Sequence, residues 1–170
     1  MEDFNIYHFE NDKFSIEQFL SLEGYDTEVR KLRRKTGKST NEFFTPYSIV
    51  KKMADKISEE DWQDPTKTIL EPCAGNFQFI CYIIWNRIQH EVNLKTALET
   101  CYCVELMQDN IDEGRARTHE LLRSILPEYD PEIADEIMTK NFVVHDFFTW
   151  NFNEWREMIE DEMKKYRMKK

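Results

Sequence analysis

Glycine and proline are scarce, at four and five in 170 residues. A meander of tight turns needs more of both, so an all-β sandwich or barrel is not the expected architecture. Cysteine is sparse too. Cys73, Cys81, Cys101 and Cys103 do not make a disulfide framework in a chain of this length. With no CxxC pair and four scattered histidines, buried reduced thiols are expected rather than a zinc site. No apolar run approaches the roughly 18 residues of a membrane span, so no membrane partner is expected. The start, Met1-Glu2-Asp3-Phe4-Asn5, carries neither a basic leader nor an apolar signal core, which points to a cytoplasmic protein. Positive charge is in deficit, with 23 basic against 33 acidic side chains and a net charge of −10. That balance opposes direct nucleic-acid binding, which needs a basic footprint.

What remains is ample core material, 41% hydrophobic and 14% aromatic. The length favours one domain. Residues 1–40 read as a helical N-terminal extension and residues 41–170 as the main domain. In the extension, Ser15 and Gln18 have capping-box spacing ahead of Phe19, Leu20 and Leu22, with Gly24 as a stop. Asp26 can cap a second, basic helix running toward Gly37. Basic residues cluster from Arg30 to Lys38 and from Lys164 to Lys170, which reads as a solvated face and a frayed tail.

In the main domain, Thr45 as N-cap and Pro46 at the first helical position predict a helix, with Ile49, Val50, Met53 and Ile57 inward at 3.6-residue spacing. A short strand, Thr68 to Leu70, leads into the loop Glu71-Pro72-Cys73-Ala74-Gly75-Asn76 and an apolar helix through Phe77 to Ile88. A second strand, Cys101 to Val104, ends at Glu105. Its helix starts near Asp109, with Ile111, Thr118, Leu122 and Ile125 inward and Gly114 as a weak point. Pro127 and Pro131 mark a break and a restart. The third strand, Phe142 to Val144, ends at Asp146, and Trp155, Ile159, Met163 and Tyr166 outline a last amphipathic helix.

Strand, loop and helix in repetition predict an α/β fold: three short parallel strands with flanking helices on both faces. Ligands on such sheets bind at the carboxyl ends of the strands, and here those ends carry Glu71, Glu105 and Asp146. An acid beyond the second strand can accept from both ribose hydroxyls. Glu105 lies 105 − 75 = 30 residues past Gly75, whereas the dinucleotide fingerprint expects about 20.

These elements resemble a known family. Asn41-Glu42-Phe43-Phe44-Thr45-Pro46 is similar to the FxTP element of adenine-specific DNA methyltransferases of the restriction–modification and phage type. Residues Thr68 to Asn76, Tyr102 to Asn110 and Asn141 to Phe147 resemble the three cofactor motifs, in the family's order. The resemblance implies a Rossmann-like methyltransferase fold, truncated, with S-adenosylmethionine as cofactor. It implies that Phe44, Thr45 and Pro46 cradle the amino-acid end of the cofactor and that Glu71 lies near its amino group. Ala74 and Gly75 would present backbone beneath it, Glu105 would hold the ribose, Leu106 would pack on adenine, and Asp146 would accept from the adenine amino group. For Glu105 and Asp146 the plain reading is helix capping or loop solvation.

Two departures stand beside the likeness. Phe77 occupies the position of the family's second glycine, where positive φ costs a non-glycine residue about 1–2 kcal/mol. Its ring is expected to intrude on the cofactor and weaken binding about tenfold or more. The catalytic loop, Asn or Asp followed by Pro-Pro and an aromatic, has no counterpart after Asp146; Asn151 and Asn153 are the nearest substitutes. The expectation is thus a methyltransferase incomplete or inactive as a single chain, with no catalytic residue of its own. The alternative is a non-catalytic regulatory subunit or decoy acting on restriction–modification machinery or another partner, and a weaker one is a site for another nucleoside. Without a fourth strand, Thr68 to Leu70 becomes an apolar edge, to be covered by residues 1–40, the C-terminal helix, a protein partner or a second copy. DNA is expected only through such a partner.

Overall fold

A computed structural model describes residues 14–21, 43–126 and 128–155. The basic helix after Asp26, Gly24, both basic clusters and the helix beyond Trp155 lie outside the described residues. Helix α1 (Ile16–Phe19) begins where Ser15 Oγ accepts from the Gln18 N–H at 3.3 Å. Helix α2 (Tyr47–Ala54) follows Pro46, which stands at the N-cap position one residue later than Thr45. Its buried line is Val50 and Ala54, with Tyr47 half-buried against Tyr82. Ile49, Met53 and Ile57, expected inward, are exposed among the described residues. The i, i+3, i+7 line 47–50–54 faces the core instead, with Tyr47 meeting Tyr82.

Helix α3 (Glu59–Gln63), capped by Ser58, precedes strand β1 (Ile69–Glu71), one residue later than expected. Then come α4 (Gln78–Gln89), α5 (Leu94–Glu99), β2 (Cys101–Glu105), α6 (Gln108–Ile125), α7 (Pro131–Asn141) and β3 (Phe142–Val144). The strands form one parallel sheet in the order β1-β2-β3, with Ile69 opposite Cys101 and Cys103 opposite Phe142. The protein is thus α/β, with a three-stranded parallel sheet and flanking helices. Among the described residues no helix is long and apolar enough to cross a membrane.

Side-chain alternation puts Cys101, Cys103 and Phe142 on one face of the sheet. There they meet the start of α4 and the α6 face built from Ile111, Thr118, Leu122 and Ile125, all buried as expected. Burial pushes the Cys81 thiol to about 11 and the Cys101 thiol to about 12, so both are inert at neutral pH. The opposite face is covered differently. Residues after β3 fold back as an aromatic cluster, with Trp155 5.0 Å from Tyr102 and 5.4 Å from Trp150, ring to ring. Trp155 Nε1 also donates to the Lys140 carbonyl at 3.1 Å. Leu70, beside Tyr102 in register, stays 42% exposed, so the described residues leave the β1 edge partly open.

Buried polar side chains fix the connections. Arg87 on α4 donates to the carbonyls of Lys67 (3.0 Å) and Asp64 (2.7 Å), pinning the approach to β1. Asn141 Nδ2 reaches the carbonyls of Leu98, Glu99 and Cys101 at 3.1 to 3.2 Å, joining the end of α7 to the α5–β2 corner. Gly114 is a fitted position on α6: a Cβ there would stand 2.2 Å from the Phe77 ring. Gly114→Ala is therefore expected to destabilise the protein by about 1–3 kcal/mol despite alanine's better helix propensity. Equilibrium urea unfolding checks this, and an unchanged or higher midpoint would refute the fit.

Candidate functional site

The site lies beyond the carboxyl ends of the three strands. The Ala74 N–H donates to the Val104 carbonyl at 3.2 Å, drawing the loop after β1 over the end of β2. Gly75 then turns with φ +51°, a left-handed conformation that favours glycine. Its N–H donates to Glu105 Oε2 at 2.8 Å. The other oxygen of Glu105 accepts from the Met107 N–H at 2.9 Å and from Asn110 Nδ2 at 3.3 Å, at the start of α6. This buried carboxylate therefore ties the glycine loop to a helix N-terminus, whose dipole favours negative charge. Glu105 anchors the approach to α6 rather than capping it, since its bonds go to the Met107 N–H and the Asn110 side chain and not to a free N–H within the helix.

Glu71 is half-buried and accepts from the Cys73 N–H at 3.3 Å. Burial raises its carboxyl above the usual range, and the Glu105 charge adds to the rise. Asp146 is exposed, two residues past β3, and its Oδ1 accepts from the Phe148 N–H at 3.0 Å. The three acids converge. Desolvation pushes the Cys73 thiol up, and the charges of Glu105, Glu71 and Asp146 all act on it in the same sense. Neighbouring strands β2 and β3 place Glu105 and Asp146 on the same end of the sheet, and the His145 N–H donates to the Glu105 carbonyl at 2.9 Å.

Apolar groups flank the acids. Leu106, directly after β2, is 60% exposed, and Phe148, in the turn that follows β3, is 91% exposed. Phe44 lies against Gly75, its ring 3.3 Å from where a Cβ would be. Thr45, half-buried, and Pro46, exposed, lead from Phe44 into α2. Phe44, Glu71, Ala74, Gly75, Glu105, Leu106 and Asp146 thus belong to one region. Phe148 and Cys73 were not singled out from the sequence as site residues; for Phe148 the usable signal was its place in an Asp-x-Phe turn.

Phe77 corrects an expectation. It does adopt the strained left-handed conformation, with φ +67°. Its ring, however, is fully buried, edge-on to Phe142 at 5.2 Å and seated on Gly114, so it fills the core rather than the hollow. Asn151 and Asn153 are also accounted for locally. The Asn151 side-chain oxygen accepts from the Asn153 N–H at 3.2 Å in a turn, and both residues are exposed. A separate groove of about 500 Å³ runs between α2, α3 and α4, past Lys51, Trp62, Tyr82 and His90. No group of three or more His, Cys, Asp or Glu side chains among the described residues is arranged to hold a metal ion. Comparison of the chain with family models, with curated proteins and with solved structures gave no match.

Two outcomes follow for variants here. Phe77→Gly relieves about 1–2 kcal/mol of backbone strain but empties a fully buried site worth about 3–5 kcal/mol, for a net loss of about 1–4 kcal/mol in urea unfolding. A more stable variant would show that strain outweighs packing. Glu71 titrates above its unfolded value, so its ionisation costs stability once pH rises through the folded pKa. Glu71→Gln is expected to raise the melting temperature at pH 7, with the gain shrinking toward zero below the ordinary glutamate range. A gain independent of pH would contradict the assignment to charge burial.

Proposed function

We propose that this chain binds S-adenosylmethionine at its strand ends, as the cofactor-holding part of a DNA adenine methyltransferase with a Rossmann-like fold. One observation carries the reading: three carboxylates from three successive parallel strands converge beside a glycine turn. The residues present fit the cofactor. A carboxylate offers about four acceptor positions, and three protein donors use three of them at Glu105, leaving room for a ribose hydroxyl. Asp146 Oδ2 stays available for an amino group, and Leu106 and Phe148 offer apolar surface for a planar base. Phe44 and Gly75 form the wall nearest the amino-acid end, and half-buried Glu71 suits a cationic amine.

The cofactor supplies an electrophilic methyl group; the residues described here hold and orient it. The sequence contains no Asn/Asp-Pro-Pro-aromatic element to grip a flipped adenine. Methyl transfer would therefore draw that element from another chain or segment, and DNA would arrive with it. A partner-binding role without chemistry is favoured by one separate observation. Phe43 and Phe148 are each 91% exposed and Leu106 is 60% exposed, large apolar side chains that a partner surface could cover.

Titration calorimetry with S-adenosylmethionine tests the proposal. One saturable site is expected, with Asp146→Asn binding about tenfold weaker, the loss of one charged hydrogen bond. Equal affinity for ATP would point to another nucleoside. No binding of either ligand would end the cofactor reading and leave the partner role.

A further inference from the structure

Behind the glycine loop, away from the acids, lies a second buried polar network. Arg117 on α6 donates from Nη1 to the Asn76 carbonyl at 2.6 Å and from Nη2 to Gln78 Oε1 at 3.1 Å. Gln78 donates from Nε2 to the Leu20 carbonyl at 3.1 Å, spanning 58 residues of sequence. Leu20 ends α1 and is fully buried, and the Arg117 guanidinium stands 5.6 Å from the centre of the Phe19 ring. The N-terminal helix is thus joined to residues one and three positions beyond Gly75.

The loop calls for such a hold. Gly75 and Phe77 both have positive φ, and the buried Asn76 side-chain amide between them has no hydrogen-bond partner among the described residues. Strained and unsatisfied groups of this kind persist when their surroundings over-determine them. In front, Glu105 grips the Gly75 amide. Behind, Arg117 grips the Asn76 carbonyl, and Gln78 transmits the position of α1.

We infer that Gln78 and Arg117 are positioning residues for loop 74–78, and that the docking of α1 through Leu20 determines how firmly the loop keeps its strained shape. The effect on a bound nucleoside rests on the function proposed above; the hold itself does not. In the ligand-free full-length chain, amide exchange at Phe77 reads the hold directly, because that N–H donates to the Ala74 carbonyl at 2.9 Å within the loop. Gln78→Glu keeps an acceptor for Arg117 but loses the donor to Leu20. It is expected to speed exchange at Phe77 about tenfold, as for one buried acceptor left unpaired, with Leu122 on α6 unchanged. Phe19→Ala, which disturbs the seat of α1 without touching the loop, is expected to act in the same direction.

Wild-type exchange at Phe77 in both variants would overturn the role of α1. Acceleration that includes Leu122 to the same degree would mean general loosening and would overturn positioning as well. Titrating S-adenosylmethionine into the same proteins keeps the two ideas apart. Absence of binding to the wild type would count against the proposed function, while the exchange rates would still decide the hold.

Discussion

The glycine loop and the start of α6 are held together by one buried carboxylate. Glu105 receives the Gly75 amide on one oxygen and the start of α6 on the other. Burying an acid without partners is costly, so its position is set by where these donors can be offered together. That requirement holds the loop after β1, where Gly75 turns left-handed with its N–H pointed at the end of β2. It also holds the start of α6, whose first residues approach the other oxygen of the same carboxylate. Sheet, loop and helix are aligned through a single side chain.

The strain in the loop is offset nearby. A left-handed phenylalanine costs about 1–2 kcal/mol, while burying its side chain contributes about 1.5–3 kcal/mol. The second figure is comparable to the first or larger, and burial is possible because Gly114 leaves the ring room against α6. Phe77 therefore exchanges local backbone comfort for a core contact that joins α4, α6 and β3 through Phe142. The same exchange explains why glycine is not required at this position for the loop to close.

Strands β2 and β3 and the long helix between them were legible in the sequence because each pairs an apolar run or clean periodicity with a flanking break. The inward face of α2 was legible only at Val50, since Ile49, Met53 and Ile57 also make an acceptable stripe and the position of Tyr82 on another element favours the 47–50–54 line. Helices α3 and α5 are too short for periodicity to register, although Ser58 and Asn93 cap them by the ordinary rule. The acids at the strand ends could be read from position alone. The direction of the Phe77 ring could not, because it is decided by a gap opposite a glycine 37 residues away.

The double engagement of Glu105 bears on how a ligand could enter. If the carboxylate were already saturated, a ribose would have to displace the Gly75 amide, and the loop would lose its anchor on binding. Three donors on roughly four acceptor positions avoid that conflict. A hydroxyl can join the existing bonds, so the anchor that shapes the loop and the group that would receive a nucleoside can be the same carboxylate. Asp146 differs, since its turn uses one oxygen and water reaches the other. Of the two, Asp146 is the acid with an oxygen left open to solvent, while Glu105 is bound by its structural duties to a fixed orientation.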